Sequence, residues 1–280
     1  STAALPIRPI SKSSADQRKG RCGRVASGVC IRLYSEEDYS GRPLYTPPEI
    51  LRANLAGVIL RMLSLGLGDI DSFPFIDKPS PKGIQEGLET LQELGAVEQS
   101  GSSRRLTETG LLMARLPLDP RISRMIIEAK KEDCLREIMI IAAALSIQDP
   151  RERPSEKEAE ADRAHAVFKD PTSDFISLLT IYNSIYPPDG QQKSQGQIRR
   201  FCREHFLSYR RIREWNDIQE QVVTILKEYK FIPDSLGKEN KSRFRNSATA
   251  AGKSGAEIYS AVHRSILSGF LSHIAVKKEK

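Results

Sequence analysis

The rhythm of apolar positions changes twice along this 280-residue chain. Near the start, residues 5–10 alternate but are broken by Pro6 and Pro9, which predicts an edge strand. Ser13 or Ser14 can cap a helix over residues 15–24, and Gly28 turns the chain into a second strand over 29–34. Strand, helix and strand predict the tail of an α/β domain. From Tyr45 the period becomes helical. Thr46-Pro47-Pro48-Glu49 has the hydroxyl, early prolines and acid of a helix start, and Leu51, Leu55, Val58, Ile59, Met62 and Leu63 follow at helical spacing. Pro81 opens a second helix through Leu88, Leu91 and Leu94, which Gly95 ends. Residues 96–99 and 104–107 predict a hairpin around Gly101-Ser102-Ser103, and Thr107 starts a third helix that stops before Pro117. Two helices, a two-stranded wing and a helix make a winged-helix pattern. From Leu118 onward, helices are predicted near 120–131, 133–147, 155–168, 172–185, 194–206 and 208–229, separated by Pro150, Pro154, Pro171 and Pro187-Pro188. Residues 235–256 are polar and basic and read as a linker, and an amphipathic stretch over 258–271 closes the pattern. The fold class expected is mainly α with minor β.

Composition narrows the function classes. The longest apolar run, residues 138–145, has eight residues, far short of the roughly 20 that cross a bilayer as a helix. Arg8, Lys12, Asp16, Arg18 and Lys19 leave no apolar signal region in the opening segment. Cys22, Cys30, Cys134 and Cys202 form neither a CxxC clip nor a disulfide framework and read as reduced, intracellular packing residues. His165, His205, His263 and His273 are dispersed, so no metal site is expected. The net charge of +7 and pI near 9.2 permit polyanion binding without requiring it. The charge is blocked, however. Residues 1–30 set Arg8, Lys12, Arg18, Lys19, Arg21 and Arg24 against Asp16 alone; residues 199–213 set six arginines against Glu204; residues 237–253 set five basic groups against Glu239.

The most specific run is Gln17-Arg18-Lys19-Gly20-Arg21-Cys22-Gly23-Arg24. On a helix Gln17, Arg21 and Arg24 fall at i, i+4 and i+7 and project from one face, while Gly20 and Gly23 keep the adjoining surface bare. Two guanidiniums and an amide suit a group whose anionic oxygens redistribute charge during reaction, as in phosphoryl transfer. A basic helix start with glycines for packing fits the same spacing.

This octet resembles motif VI of superfamily 2 helicases, with Cys22 where most eukaryotic members carry Ala. The following run from Gly28 through Asp38 narrows the resemblance to the DEAH-box group. Pro48-Glu49-Ile50-Leu51-Arg52, Gly66-Leu67-Gly68-Asp69-Ile70, Phe73-Pro74-Phe75, Leu116-Pro117-Leu118-Asp119-Pro120-Arg121 and residues 147–154 complete a similarity to bacterial HrpA-type ATP-dependent RNA helicases over roughly residues 5–275. The resemblance implies that residues 1–43 end a second RecA-like domain, 44–117 form a winged helix, and 118–233 form the helical ratchet of HA2 type. Residues 234–256 would be a basic linker, and 257–280 the helix and first strand leading into a truncated OB-fold. It implies that Gln17, Arg21 and Arg24 face the γ-phosphate of ATP, Arg21 and Arg24 being the arginine fingers. ATP and Mg2+ would be cofactors of a longer parent protein, which would use single-stranded RNA, with DNA left open. Further partners would be the N-terminal RecA-like domains and protein activators, in the cytoplasm and without a membrane. The chain opens on Ser1 rather than Met, so a fragment is expected. It lacks a DEAH box. Its nearest phosphate-loop likeness, residues 247–254 ending in Gly252-Lys253-Ser254, has Ser247 where the first Gly belongs and follows no predicted strand. The chain alone is therefore expected not to hydrolyse ATP.

The second basic block mixes arginines with aromatics. Arg199, Arg203 and Arg210 are the nucleic-acid-binding candidates, with Arg213 on the same stripe. On one continuous helix Phe206 would interrupt that stripe, so a break near Ser208 is predicted. Arginines beside Phe201, Phe206, Tyr209 and Trp215 suit a backbone-tracking groove with base stacking; the same aromatics also suit a bundle core. Glu86, Glu89 and Glu93 on the would-be recognition helix repel phosphate and argue against docking in a DNA major groove. A stand-alone nucleic-acid-binding or protein-interaction module is the alternative reading.

Overall fold

The computed structural model describes residues 9–51, 54–100, 103–188, 193–232 and 255–275. The chain divides into two compact units, one of residues 1–54 with 74–83 and the other of 55–73 with 84–280.

In the first unit, α1 (Lys12–Gly20) is capped by Ser11 rather than by Ser13 or Ser14. The Ser11 hydroxyl accepts from the Ser14 amide at 3.3 Å and joins the Thr46 hydroxyl at 2.9 Å. The Lys12 and Ser13 amides donate to the Pro43 and Leu44 carbonyls, so the first turn of α1 is fastened to the segment before Thr46. That fastening displaces the helix start expected at Thr46: only a 3-10 turn, Glu49–Leu51, forms there. α1 passes into a 3-10 turn at Arg21–Gly23. The chain then folds back so closely that a Cβ on Gly28 would lie 2.2 Å from the Cys22 carbonyl oxygen, which only glycine allows. The strand expected over 29–34 does not form. A strand needs a neighbour for its amides and carbonyls, and the only strands among the described residues lie elsewhere. Val29, Ile31 and Leu33 are exposed as a result, in the period of a strand face. A short helix that the sequence reading missed, α2 (Glu36–Gly41), follows, capped by Ser35 with Glu36, Glu37 and Asp38 in its first turn.

The second unit begins with α3 (Ala56–Leu65), which buries Ala56, Ile59, Leu60 and Met62. α4 (Pro81–Glu93) places Ile84, Leu88 and Leu91 inward, and Gly95 closes it at φ +65°. β1 (Val97–Ser100) and β2 (Ser103–Leu106) pair antiparallel, Val97 opposite Leu106. α5 (Glu108–Arg115) starts at Thr107, whose hydroxyl donates to the Gly95 carbonyl at 2.7 Å and accepts from the Gly110 amide. Gly110 is required here, because a Cβ would meet the Ala96 carbonyl oxygen at 2.0 Å.

The bundle comprises α6 (Pro120–Lys131), α7 (Leu135–Leu145), α8 (Glu158–Ala166), α9 (Asp174–Ile185), α10 (Gln195–Glu204), α11 (Tyr209–Glu228) and α12 (Gly255–Gly269). α7 is its axis. Every residue from 136 to 144 is buried, as expected of a helix that is apolar all round. Its charged pair is held inside: the Arg136 guanidinium donates to Asn183 Oδ1 at 2.6 Å and lies 3.7 Å from the Glu137 carboxylate. Trp215, fully buried, donates its indole N–H to the Ile140 carbonyl at 2.7 Å. α12 packs on α6 and α7 through Ala261, Val262, Ser265 and Ile266, and so completes this core. The strand expected after it is absent among the described residues, where Leu271–His273 is a 3-10 turn. Most of the expected linker, with the Gly252-Lys253-Ser254 run, lies outside the described residues; Gly255 and Ala256 already open α12.

Candidate functional site

Gln17, Arg21 and Arg24 are all exposed. Gln17 lies in α1, Arg21 opens the 3-10 turn, and Arg24 follows it in right-handed helical conformation. Four α-helical residues carry Gln17 to a position about 40° from Arg21. Three residues of a 3-10 helix make one full turn, so side chains at i and i+3 eclipse, and Arg24 falls in line with Arg21. The tightening at Arg21 thus preserves the predicted stripe. Among the described residues none of these three side chains forms a hydrogen bond or an ion pair, whereas Arg32 and Arg42 in the same unit are both engaged by carboxylates.

Asp16, the one acid near the stripe, is occupied. Its carboxylate accepts from the Tyr39 hydroxyl at 2.9 and 3.0 Å and from Arg32 Nη2 at 2.7 Å. The Tyr39 hydrogen bond, and after it Arg32, hold the Asp16 carboxyl below the usual carboxylate range, and the same bond raises the Tyr39 phenol. The site therefore presents two uncompensated guanidiniums and an amide to an approaching anion. It offers no metal cage: among the described residues no three His, Cys, Asp or Glu side chains cluster closely enough to hold an ion. The residues present fit the phosphate end of a nucleotide, and a divalent ion would need ligands from elsewhere.

The second basic block resolves into two helices. The break forms near Ser208 as expected: Phe206 turns at φ +51°, and Ser208 is the N-cap residue of α11, without a side-chain capping bond. It is fastened from outside: the Glu152 amide donates to the Phe206 carbonyl and the Ser208 amide to the Pro150 carbonyl, both at 2.8 Å. Arg211 is tied to the same segment through Gln148 Oε1 at 2.7 Å and the Asp149 carbonyl at 2.9 Å. Arg200 pairs with Glu204 at 2.7 Å, and Arg199 stacks 5.0 Å over the Tyr209 ring. Arg203, Arg210 and Arg213 are exposed and, among the described residues, unpaired. Arg210 and Arg213 border an open groove of about 630 Å³ with Tyr209, Glu214 and Asp217, so its walls carry both signs of charge. Trp215 belongs to the core and Phe201 is partly buried against it. Tyr209, half-buried under Arg199, is the aromatic that borders the groove.

Cys134 and Cys202 are buried while Cys22 and Cys30 are exposed. Burial, with Glu152 nearby, pushes the Cys202 thiol up to about 11. His263 bridges the Ser173 hydroxyl at 2.8 Å and the Tyr259 carbonyl at 2.7 Å, fastening α12 to the start of α9. No described helix is long and apolar enough to cross a membrane.

Two family models match within the second unit. Residues 87–118 match the helicase-associated domain (HA2), winged-helix, and residues 119–178 match the helicase-associated domain (HA2), ratchet-like. The chain is similar to the ATP-dependent RNA helicase HrpA homolog of Haemophilus influenzae, with 47% identity over 278 residues. It is equally similar to the ATP-dependent RNA helicase HrpA of Escherichia coli, with 47% identity over 277 residues. In each case the match takes in 98% of this chain and 20% of the relative, so the chain spans about a fifth of the length of the curated relatives it matches.

Proposed function

Because 98% of the chain is similar, at 47% identity, to ATP-dependent RNA helicases named HrpA, we propose that it is the accessory region of a DEAH-box ATP-dependent RNA helicase. In this reading Arg21 and Arg24 act as arginine fingers and Gln17 orients the attacking water, toward ATP whose phosphate cradle and Mg2+ ligands lie on the protein's RecA-like domains. The carrying observation is the line of exposed Gln17, Arg21 and Arg24 side chains, unpaired among the described residues.

ATP supplies the phosphoanhydride bond whose hydrolysis drives movement along RNA. This chain's own residues bind and orient. The guanidiniums of Arg21 and Arg24 stabilise negative charge that grows on the transferred phosphoryl oxygens, and the Gln17 amide holds a water by hydrogen bonding. On the bundle, Arg203, Arg210 and Arg213 contact the phosphate backbone of single-stranded RNA without reading its sequence. The protein works in the cytoplasm, and the chain by itself is inactive because it brings the arginine side of the site alone.

The test is Arg24→Ala in the full-length helicase. A loss of about a thousandfold in RNA-stimulated ATP hydrolysis is expected, the scale of an arginine finger; an unchanged rate rejects the reading. Titrating the present chain with a labelled oligonucleotide at two salt concentrations tests the RNA surface. Arg203→Ala with Arg210→Ala should flatten the salt dependence by about 1.4 units of slope, roughly 0.7 for each phosphate contact on a single strand.

A further inference from the structure

The helix that carries the stripe is gripped from its flank. Asp16 lies one residue before Gln17, about 100° round the helix from it and about 140° from Arg21, so its side chain leaves the helix away from the stripe. There the carboxylate takes three hydrogen bonds from two donors, Arg32 Nη2 at 2.7 Å and the Tyr39 hydroxyl at 2.9 and 3.0 Å. The donors are themselves stacked, the Arg32 guanidinium 4.1 Å over the Tyr39 ring. Behind them Arg42 pairs with Asp38 at 2.6 Å and stacks 3.9 Å over the Tyr34 ring, which holds the short helix that carries Tyr39. Backbone hydrogen bonds to Pro43 and Leu44 fix only the first turn of α1. Without a second hold, the later turn of α1 could unwind or bend away from its fixed first turn and carry Gln17, Arg21 and Arg24 with it.

We propose that Asp16, Arg32 and Tyr39 form a positioning clamp that holds the second turn of α1 in line with its fixed first turn and so aims Gln17, Arg21 and Arg24. The proposal rests on the ATP-facing reading above. Its logic is twofold. A carboxylate held by two differently placed donors fixes an angle, which a single contact does not. The clamp also engages the only carboxylate between residues 9 and 35, so no acid of that segment is left to compete with phosphate for Arg21 and Arg24. Asp16, Arg32 and Tyr39 are positioning residues: they act through α1.

Interactions that act on the transition state alter kcat more than KM when they are misplaced. In the full-length helicase, Asp16→Ala should lower kcat for ATP hydrolysis about tenfold and Tyr39→Phe about threefold, each with KM for ATP changed less than about twofold. Asp16→Glu, which keeps the charge, should retain most of the rate. The present chain supplies a readout independent of activity. Cys22 lies between Arg21 and Arg24 in the chain and is exposed, Cys134 and Cys202 are buried, and Cys30→Ser removes the other exposed thiol. A nitroxide on Cys22 should give a narrower, more mobile spectrum in Asp16→Ala than in the parent sequence, with Asp16→Glu close to the parent. Arg24→Ala separates the two readings. If it abolishes hydrolysis while Asp16→Ala and Tyr39→Phe keep both kcat and the nitroxide spectrum of the parent, the clamp is rejected and the ATP-facing reading stands. If Arg24→Ala hydrolyses ATP normally, the ATP-facing reading fails and the clamp falls with it. Equal losses in Asp16→Ala and Asp16→Glu, or a rise in KM at constant kcat, also overturn it.

Discussion

The segment around α1 and the helical bundle hold their residues by opposite means. Around α1, from residue 9 to 51, Ala15 is the only buried apolar side chain, and Val29, Ile31 and Leu33 face outward. Hydroxyl clusters, ion pairs and stacked guanidiniums supply the order there. In the bundle, α7 is enclosed over residues 136–144 and Trp215, Met125, Ile126 and Ile181 are almost wholly shielded. The contrast separates two jobs. A region that leaves arginines unpaired draws its order from polar contacts, whereas a region that encloses an apolar helix draws it from its core. Stability should therefore reside in the bundle and chemical consequence around α1, and substitutions can break that division.

The largest effect is expected at Trp215. Trp215→Ala removes the biggest side chain from the core and the donor to the Ile140 carbonyl, and should cost about 3–5 kcal/mol in urea unfolding. Replacing Ile31 and Leu33 together by Thr should change the same midpoint by less than about 0.5 kcal/mol each, because both are already in water. A loss of comparable size would mean that the residues around α1 fold cooperatively with the bundle. Gly110→Ala comes next. Its new Cβ would press on the Ala96 carbonyl at the base of the wing, and overpacking of that kind costs about 1–3 kcal/mol.

The bundle and the wing were legible because their residues solve their own packing problem locally. Proline and glycine punctuation, Thr107 as a helix start, and the apolar run of α7 place those helices within a few residues of where they form. The misses around α1 share one cause. Val29, Ile31 and Leu33 carry the alternation of a strand, yet a strand is a relation between segments and the described residues supply no partner. The helix start at Thr46 was overruled by long-range bonds to Ser11 and to the first turn of α1 that no local pattern announces. The stripe was legible as a motif, since Gln17, Arg21 and Arg24 align by spacing alone. Its supports were not, because Asp16 meets Arg32 and Tyr39 only after a turn whose geometry depends on Gly28. Ser35 before three acids was a readable signal for α2.

Helix caps give a smaller and more discriminating test, because the chemistry is the same in both regions. Ser194 forms a reciprocal capping box with Gln197 at the start of α10, and Ser35 caps α2 by accepting from the Asp38 amide at 3.1 Å. Ser194→Ala should lower global stability by about 1 kcal/mol. Ser35→Ala removes an equivalent bond, and should raise hydrogen exchange in residues 36–41 while leaving the global midpoint in place. Equal global losses would contradict the division of labour.

The smallest effect is a pH dependence, and its sign follows from Asp149. Burial alone would raise this carboxyl, but bidentate bonds from Arg151, at 3.0 and 2.6 Å, and from the Arg151 amide outweigh it and hold the group below the usual carboxylate range. A carboxyl depressed in the folded state contributes stability that is fully present above its unfolded pKa, about 4, and lost as pH falls through the folded value. Half of the Asp149 side chain is exposed, so solvent screening keeps the contribution under about 1 kcal/mol. Asp149→Asn should therefore lower the urea midpoint slightly at pH 7 and match the parent protein at acid pH, once the parent's carboxyl is protonated. Asp16 is also held below the usual range, yet Asp16→Asn should leave the global midpoint unchanged at either pH, since its bonds close no core. Two carboxylates with the same direction of shift then report differently, because only Asp149 lies in the segment whose backbone fastens the Phe206 break between α10 and α11. If Asp16→Asn shows the same pH-dependent loss in global unfolding, the order around α1 is coupled to the bundle after all.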